Sequence, residues 1–465
     1  MQNILIIGAG DAGRIIAHSL SGKKQTRIIG FLDDNPGLHH KIISNICVLG
    51  PVRLLSDLAK KQVISEVIVA IPSASGELLT PIIKEILNAN LSYRIAPGFY
   101  NYNTRDVDIR YPLRKIDITD LLGRHTVDLP ISLVSDYLSN KRVLITGAGG
   151  SIGSEIARTV AMFHPKQIQL LGRGEGSIFS IQNELFMRFH SISLLPLIVN
   201  CTDRSSLMTY FKKLKPDIIF HTAAHKHVPY MELNPREAFI NNVTGSLNVF
   251  DAAVTSGVKN VVILSTDKAV KPKCVMGISK RVVECLIQND YQDTGPVFSG
   301  VRFGNVLGSR GSVVEVFQKQ IESGEPLTVT HKNATRYFMT IPEAAQLVIM
   351  AGALAEQGHM YVLDMGKQIP IVKLAKDLIE LNGLTPQKDI EIIFTRLRRG
   401  EKMKESLLVS PEFKKTIHNK IWDDPPPEKR HPIKSRINAL LPKLDAMTGP
   451  QILKFMKELI TSGKG

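Results

Sequence analysis

Thr146-Gly147-Ala148-Gly149-Gly150-Ser151-Ile152-Gly153 is the stretch that decides the fold. Residues 143–146 form an apolar, strand-like run before it, and a helical pattern comes after. Glycine is required at such a turn because the chain reverses sharply there. It also lets a pyrophosphate approach the backbone N–H groups at the start of a helix. A second turn with the same context lies upstream, in Gly8-Ala9-Gly10-Asp11-Ala12-Gly13, which matches G-x-G-x-x-G. Two such starts predict an α/β protein with two Rossmann-like, doubly wound parallel-sheet domains.

The pattern around each turn supports this. Near the first, strands are expected at 3–8, 27–33 and 66–71, with helices over 11–20 and 78–90. Around the second, strands are expected at 143–146, 167–171, 194–199, 217–221 and 261–265, with helices between them. Such alternation argues for parallel sheets covered by helices. Helices are also expected at 341–355, 371–382 and 444–459. The Tyr-, Asn- and Arg-rich stretch 97–112 reads as irregular, and 116–130 as connecting chain. Asp423-Asp424-Pro425-Pro426-Pro427 marks a break. The expected organisation is an auxiliary nucleotide-binding domain at 1–115, a linker at 116–135, a larger domain at 136–424, and a tail with a helix at 425–465.

Composition narrows the function classes. The chain has 465 residues, 43% hydrophobic and 22% charged, ordinary for a soluble globular protein of two or three domains. No apolar run is long enough for a membrane span. The N-terminus runs straight into a strand-like segment rather than a leader. The four cysteines, Cys47, Cys201, Cys274 and Cys285, lack metal-ligand spacing. Reduced thiols, a cytoplasmic setting, no transmembrane anchor and no metal are therefore expected. The net charge is +15, but the basic residues are dispersed, which argues against nucleic acid and suits a diphosphate substrate.

An acidic residue about 20 positions beyond the turn would grip an NAD ribose. The first domain has Asp33 there. The second has Gly172-Arg173, with no acid, so Arg173 is placed to meet the 2′-phosphate of NADP. NADP, or NAD, is the expected cofactor.

Further motifs lie downstream in order: His221-Thr222-Ala223-Ala224-His225-Lys226-His227, Ser265-Thr266-Asp267-Lys268-Ala269, Met276-Gly277-Ile278-Ser279-Lys280, Arg302-Phe303-Gly304-Asn305-Val306, Thr335-Arg336-Tyr337 and Arg398-Arg399-Gly400-Glu401-Lys402. With the glycine turn, this set resembles the nucleotide-sugar 4,6-dehydratases of bacterial polysaccharide and glycan synthesis. These are a branch of the extended short-chain dehydrogenase/reductase superfamily, and the resemblance spans about 135–407. It implies a catalytic domain of that fold with a small C-terminal substrate lobe. The implied substrate is a UDP-sugar, typically UDP-N-acetylglucosamine, and a homo-oligomer is also implied. In this chemistry a nicotinamide takes hydride from carbon 4. A base then removes the carbon 5 proton while an acid helps the carbon 6 hydroxyl leave. Hydride finally returns to carbon 6, so the enzyme is a lyase with internal redox.

The resemblance assigns roles residue by residue. Gly147, Gly150, Ser151, Ile152, Gly153, Arg173, Asn200, Ala223, Ala224, Lys226 and Lys280 would hold the cofactor. Thr266 would meet the carbon 4 hydroxyl and Asp267 would be the acid. Lys268 stands where other dehydratases carry Glu as the carbon 5 base. To serve, it must be neutral, which burial and cations such as Lys280 favour. His225, Lys226, Asn305, Arg336, Arg398 and Glu401 fall on substrate-side positions. Met276 replaces the superfamily's Tyr and transfers no proton. The base for the carbon 4 hydroxyl is then Lys280, directly or through water, or Asp267. Arg399 stands where relatives often have Pro.

The first domain, with Gly8, Gly10, Gly13 and Asp33, resembles the nucleotide-binding domain preceding the catalytic domain of longer dehydratases. Its expected roles, in order, are a regulatory nucleotide or nucleotide-sugar site, an oligomerisation domain, and a vestige. For the whole chain, a 4-epimerase and a catalytically silent nucleotide sensor are the competing readings. Asp267-Lys268 favours dehydration, because epimerisation needs no acid and base at carbons 6 and 5.

Overall fold

The computed structural model describes residues 2–21, 25–61, 63–71, 74, 76–96, 130–407 and 413–461. The expected irregular stretch at 97–112, and nearly all of the connecting chain after it, lie outside the described residues. The chain divides into two compact units. One comprises the described residues up to Ala96 together with 320–327 and 375–391. The other comprises 130–319, 328–374 and the described residues from 392 onward.

In the first unit, β1 (Gln2–Ile7), β2 (Thr26–Leu32), β3 (Ile42–Ile43), β4 (Ile46–Gly50), β5 (Glu66–Val69) and β6 (Tyr93–Ile95) form one sheet. The order is β3-β4-β2-β1-β5-β6, parallel except for the β3–β4 hairpin. Side chains alternate across a strand. Ile4 and Ile6 therefore pack on one face with Ile16 and Leu20 of α1 (Asp11–Ser21), while Leu5 and Ile7 pack on the other.

In the second unit, β7 (Arg142–Thr146), β8 (Gln167–Gly172), β9 (Ser193–Ile198), β10 (Ile218–His221), β11 (Asn260–Thr266) and β12 (Val297–Phe303) run parallel with β13 (Met360–Leu363). The order β9-β8-β7-β10-β11-β12-β13 reverses direction beside β7, the crevice where ligands bind in such sheets. Two antiparallel strands, β14 (Lys414–Lys415) and β15 (Ile421–Asp424), extend the sheet beyond β13. Val143 and Ile145 face one core, with α2 (Ser151–Ala161) and the helix Ile341–Ala353. Leu144 faces the other, with α3 (Gly245–Thr255) and α4 (Val275–Asn289). A strand buried on both faces reads as a continuous apolar run, as residues 143–145 do.

The C-terminal segment departs from the expected picture of a tail. Ile433, Ile437, Ile452 and Met456 are buried in the same core as Val282 and Leu286 of α4. Asp290 accepts from the backbone N–H groups of Ile433 and Lys434. The helix expected at 444–459 is present as the α-helix Gly449–Thr461, starting later than expected and preceded by a 3-10 segment, Leu441–Ala446. Pro450 accounts for the break, since its fixed φ and missing N–H favour the first turn of a helix. Gln451 then accepts from the N–H and hydroxyl of Thr448.

Candidate functional site

At the second turn each glycine answers a local demand. Gly147 has φ +67°, and a Cβ there would lie 2.9 Å from the Ala223 nitrogen. A Cβ on Gly153 would lie 2.3 Å from the Gly147 carbonyl oxygen, so glycine lets α2 press onto the turn. The Thr222 hydroxyl donates to the Thr146 carbonyl at 2.7 Å, and His221 bridges Thr146 and Ser246 at 2.8 and 2.9 Å. Burial, with help from Lys280, lowers the His221 pKa to about 3, so the bridge is neutral. Gly150 starts α2 with no side chain capping its first N–H groups. Uncapped amides, a positive dipole end and glycines allowing close approach fit a dinucleotide pyrophosphate.

A cavity of about 680 Å3 opens from this turn. Gly147, Gly150, Ser151, Ile152 and Gly153 form one wall, continued by Ala224, His225 and Lys226. Behind the turn, Gly147 and Gly150 also border a smaller cavity of about 220 Å3. Arg173, Asn200 and Ala223 line this one, where the far nucleoside half of a dinucleotide would reach.

Across the large cavity, the end of β11 supplies Thr266, and a 3-10 turn Asp267–Ala269 comes next. Asp267 is fully buried. Its Oδ1 accepts from Thr266 Oγ1 at 2.8 Å and from Lys268 Nζ at 3.0 Å. Among the described residues its Oδ2 has no hydrogen-bond partner, and a Cβ on the cavity-lining Gly304 would lie 3.4 Å from it. Lys268 Nζ also donates to Asn305 Oδ1 at 3.2 Å and lies 3.9 Å from Glu405 Oε1. Burial works against the lysine's charge, but Asp267 and Glu405 outweigh it and raise its pKa above the ordinary value. The neutral Lys268 expected from the sequence is therefore not what this environment favours. The main cation opposing its charge is Arg336 rather than the expected Lys280.

The helix α4 carries Met276 and Lys280 one turn apart, and both line the cavity. It docks closely because residue 277 is glycine, whose Cβ would sit 2.2 Å from the Lys268 carbonyl oxygen. Lys280 is 6% exposed, and among the described residues its Nζ has no hydrogen-bond partner. Burial lowers its pKa to about 8, with Glu284 pulling the other way. Glu284 is engaged elsewhere, by Arg302 at 2.8 and 2.9 Å and by Arg281 at 2.7 Å. Asn242 lies in a wide π-type turn, Phe239–Thr244, of the kind enriched at functional sites. It accepts from the His225 N–H at 2.7 Å and donates to the His225 carbonyl and Ser279 hydroxyl, each at 3.0 Å. That pins the His225 backbone to α4. His225 and His227 make no metal cluster with other ligands among the described residues.

The remaining wall comes from the C-terminal third. Arg336 Nη2 meets Glu401 Oε1 at 2.6 Å, while Nη1 donates to the Thr335 and Met403 carbonyls. Glu401 Oε2 accepts from the Arg398 N–H at 3.3 Å. Arg398, Glu401, Arg336 and Asn305 all line the cavity. Arg399 is exposed and turns to Glu232 at 3.5 Å. Two wall residues escaped the sequence reading. Arg310 donates its backbone N–H to Ser151 Oγ at 3.2 Å, and Glu405 is the buried carboxylate beside Lys268. For Glu405 the signal was present, because the motif continues Lys402-Met403-Lys404-Glu405 and an acid recurs four residues after Glu401.

With this geometry the architecture is that of the extended short-chain dehydrogenase/reductase epimerases and dehydratases. It is shared with Pen from Bacillus thuringiensis, at TM-score 0.57 and 30% identity over 66% of this chain and 98% of that one. It is also shared with DesIV, a dTDP-glucose 4,6-dehydratase from Streptomyces venezuelae solved with NAD and TYD bound. There the TM-score is 0.51 and identity 19%, over 57% of this chain and 88% of that one. Residues 143–423 match the polysaccharide biosynthesis protein family, and the chain belongs to it. Residues 3–75 match the PglD N-terminal domain. The chain is 47% identical over 409 residues to the probable polysaccharide biosynthesis protein EpsC of Bacillus subtilis, covering 87% of this chain and 68% of that protein. It is 43% identical over 424 residues to the capsular polysaccharide biosynthesis protein CapD of Staphylococcus aureus, covering 90% and 70%. Among the described residues no helix is long and apolar enough to cross a membrane.

Proposed function

We propose that the chain is a nucleotide-sugar 4,6-dehydratase, a lyase converting UDP-N-acetylglucosamine to its UDP-4-keto-6-deoxy sugar for surface polysaccharide or glycan synthesis. The observation that carries this reading is the Asp267–Lys268 pair: Lys268 lines one cavity with the glycine turn and Lys280, and Asp267 is buried directly behind it. A bound NADP or NAD supplies reversible hydride acceptance and is regenerated each cycle. Gly147, Gly150 and Gly153 would hold its pyrophosphate, Lys280 its nicotinamide ribose, and Arg173 a 2′-phosphate. Nicotinamide released from the purified protein should be the 2′-phosphorylated form, and NAD alone would remove the role of Arg173.

The protein's groups divide the proton work. Met276 cannot take the carbon 4 hydroxyl proton, whereas the neutral form of Lys280, brought closer to neutral pH by a burial-lowered pKa of about 8, is able to. Thr266 orients that hydroxyl. Asp267 Oδ2, unpartnered and next to Gly304, protonates the departing carbon 6 hydroxyl. Lys268 and Glu405 stand on the carbon 5 side. Arg398 and Arg336 face the diphosphate, for which a planar guanidinium offers paired charge-assisted bonds. Glu401, while positioning Arg336, accepts from the ribose.

Incubation with UDP-N-acetylglucosamine tests the reading. Mass spectrometry should show a product lighter by one water. Isomerisation without mass change would replace the dehydratase with an epimerase. Absence of turnover would leave a nucleotide sensor.

A further inference from the structure

Four charged side chains meet where Lys268 and Glu405 line the cavity, with Asp267 and Lys402 packed beside them. Glu405 is 6% exposed and lines the cavity wall. Its Oε1 lies 3.9 Å from Lys268 Nζ and its Oε2 3.4 Å from Lys402 Nζ, and among the described residues Oε2 makes no hydrogen bond. Lys402 is itself anchored by donation to the Val270 carbonyl at 2.9 Å. The Glu405 carbonyl accepts from Gln368 Nε2 at 2.7 Å, so the segment carrying it is fixed in place. A buried carboxylate held by two partners with one oxygen free of hydrogen bonds retains capacity to accept a proton. Lys268, by contrast, donates to Asp267 and Asn305, and both carboxylates beside it favour the ammonium. An ammonium has no lone pair with which to take a proton.

We propose that Glu405 is the catalytic residue that accepts the carbon 5 proton, with Lys268 as the cation beside it. This rests on the dehydratase reading. In the elimination step the carbon 5–hydrogen bond breaks and its proton goes to a Glu405 carboxylate oxygen. The electron pair forms the carbon 5–carbon 6 double bond. The carbon 6–oxygen bond breaks, and that oxygen takes a proton from Asp267 and leaves as water. Asp267 enters this step protonated, while Glu405 is the anion that keeps Lys268 an ammonium. The step is redox-neutral. Lys268 remains charged and stabilises the negative charge that develops on the carbon 4 oxygen. The carboxylate that other dehydratases carry at the position of Lys268 is thus supplied from a segment far along the chain.

The experiment monitors UDP-N-acetylglucosamine in deuterium oxide with the cofactor-loaded protein. The wild type should lose water and incorporate deuterium at carbon 5. E405Q should lose carbon 5 exchange and water loss by about 100-fold or more. It should still oxidise carbon 4, seen as a build-up of reduced-nicotinamide absorbance, and should bind UDP-sugar with unchanged Kd. K268M should slow turnover yet retain carbon 5 exchange. E405Q exchanging at the wild-type rate, or K268M losing exchange while E405Q keeps it, would overturn the proposal and leave the dehydratase intact. Where E405Q fails to bind UDP-sugar, E405D decides instead: slowed exchange supports the role, and an unchanged rate overturns it. A wild type that loses no water overturns the dehydratase reading, and the assigned role falls with it.

Discussion

The two units begin with the same device and use it differently. In the first, Gly8 has φ +101°, and a Cβ on Gly13 would lie 2.0 Å from the Gly8 carbonyl oxygen. The same contact, at 2.3 Å, holds Gly153 to Gly147 in the second. Both glycine patterns are thus demanded by helix–turn packing alone. The residues beyond the turns set the two apart. At the first, Asp33 Oδ2 accepts from the Ala9 N–H at 2.8 Å and Oδ1 from the Asn35 N–H at 2.9 Å, so an internal carboxylate already occupies the turn. At the second, no carboxylate among the described residues does. The cores differ in the same sense. Among the described residues of the first unit no polar or charged side chain is fully buried, whereas the second buries His221, Asn242, Asp267, Lys280, Glu284 and Arg302. Buried charge is unfavourable unless paired, so the second core carries groups that hydrocarbon packing alone does not require.

The widest gap between the units is chemical. D267N should lower water loss from UDP-N-acetylglucosamine by about 1,000-fold, within the range for removal of a positioned acid. The purified variant should keep its bound nicotinamide. A loss of only a fewfold would put the acid elsewhere. The next gap is energetic. Arg302 is fully buried between Glu284 and Asp424, the latter at 2.6 Å. R302M leaves Glu284 buried with only Arg281 as cationic partner and should cost about 3–5 kcal/mol in urea unfolding. The matching pair in the first unit, Arg94 with Glu66, has its arginine 38% exposed. R94M should cost no more than about 1 kcal/mol. Equal losses would erase the distinction between the two cores.

Much of this contrast was legible in the sequence. Apolar runs and glycine turns gave both sheets, because strand–turn–helix units are specified locally. The cavity wall was legible where a motif is contiguous, as in Thr266-Asp267-Lys268 or Met276 to Lys280. Side chains that face each other across long stretches of chain were not legible. Glu405 meets Lys268 only because residues 398–405 fold back to the end of β11. Asp33 looked like a ribose ligand, and only the fold shows its oxygens turned onto Ala9 and Asn35. Of the two carboxylates that favour a charged Lys268, Asp267 was adjacent in sequence and visible, whereas Glu405 was not.

Lys280 offers a smaller test. Folding lowers its pKa from 10.5 to about 8, so between those values the unfolded chain binds more protons than the folded one. The penalty is complete below pH 8 and fades as the pH rises toward 10.5. It amounts to no more than about 3 kcal/mol. K280M should therefore unfold at higher urea than the wild type at pH 7, with the difference shrinking by pH 10. A constant difference would mean that Lys280 does not titrate in that window. The first unit offers no such variant among its described residues, because it buries no lysine.

The smallest effect tests whether the first turn is closed by its own carboxylate. D33A removes the acceptor for two backbone N–H groups, and an unmade bond of this kind costs about 1–2 kcal/mol. The loss should be local. Native-state hydrogen exchange at Ala9 and Asn35 should accelerate by about 5- to 30-fold, since each 1.4 kcal/mol is a factor of ten. Exchange at Ser151, at the second turn, should not change, and neither should the nicotinamide content of the purified protein. If D33A instead released nicotinamide, the first turn would be a dinucleotide site after all. If exchange at Ala9 stayed slow, the Asp33 contact would not be what holds the turn, and packing of Gly13 against Gly8 would be left to do so.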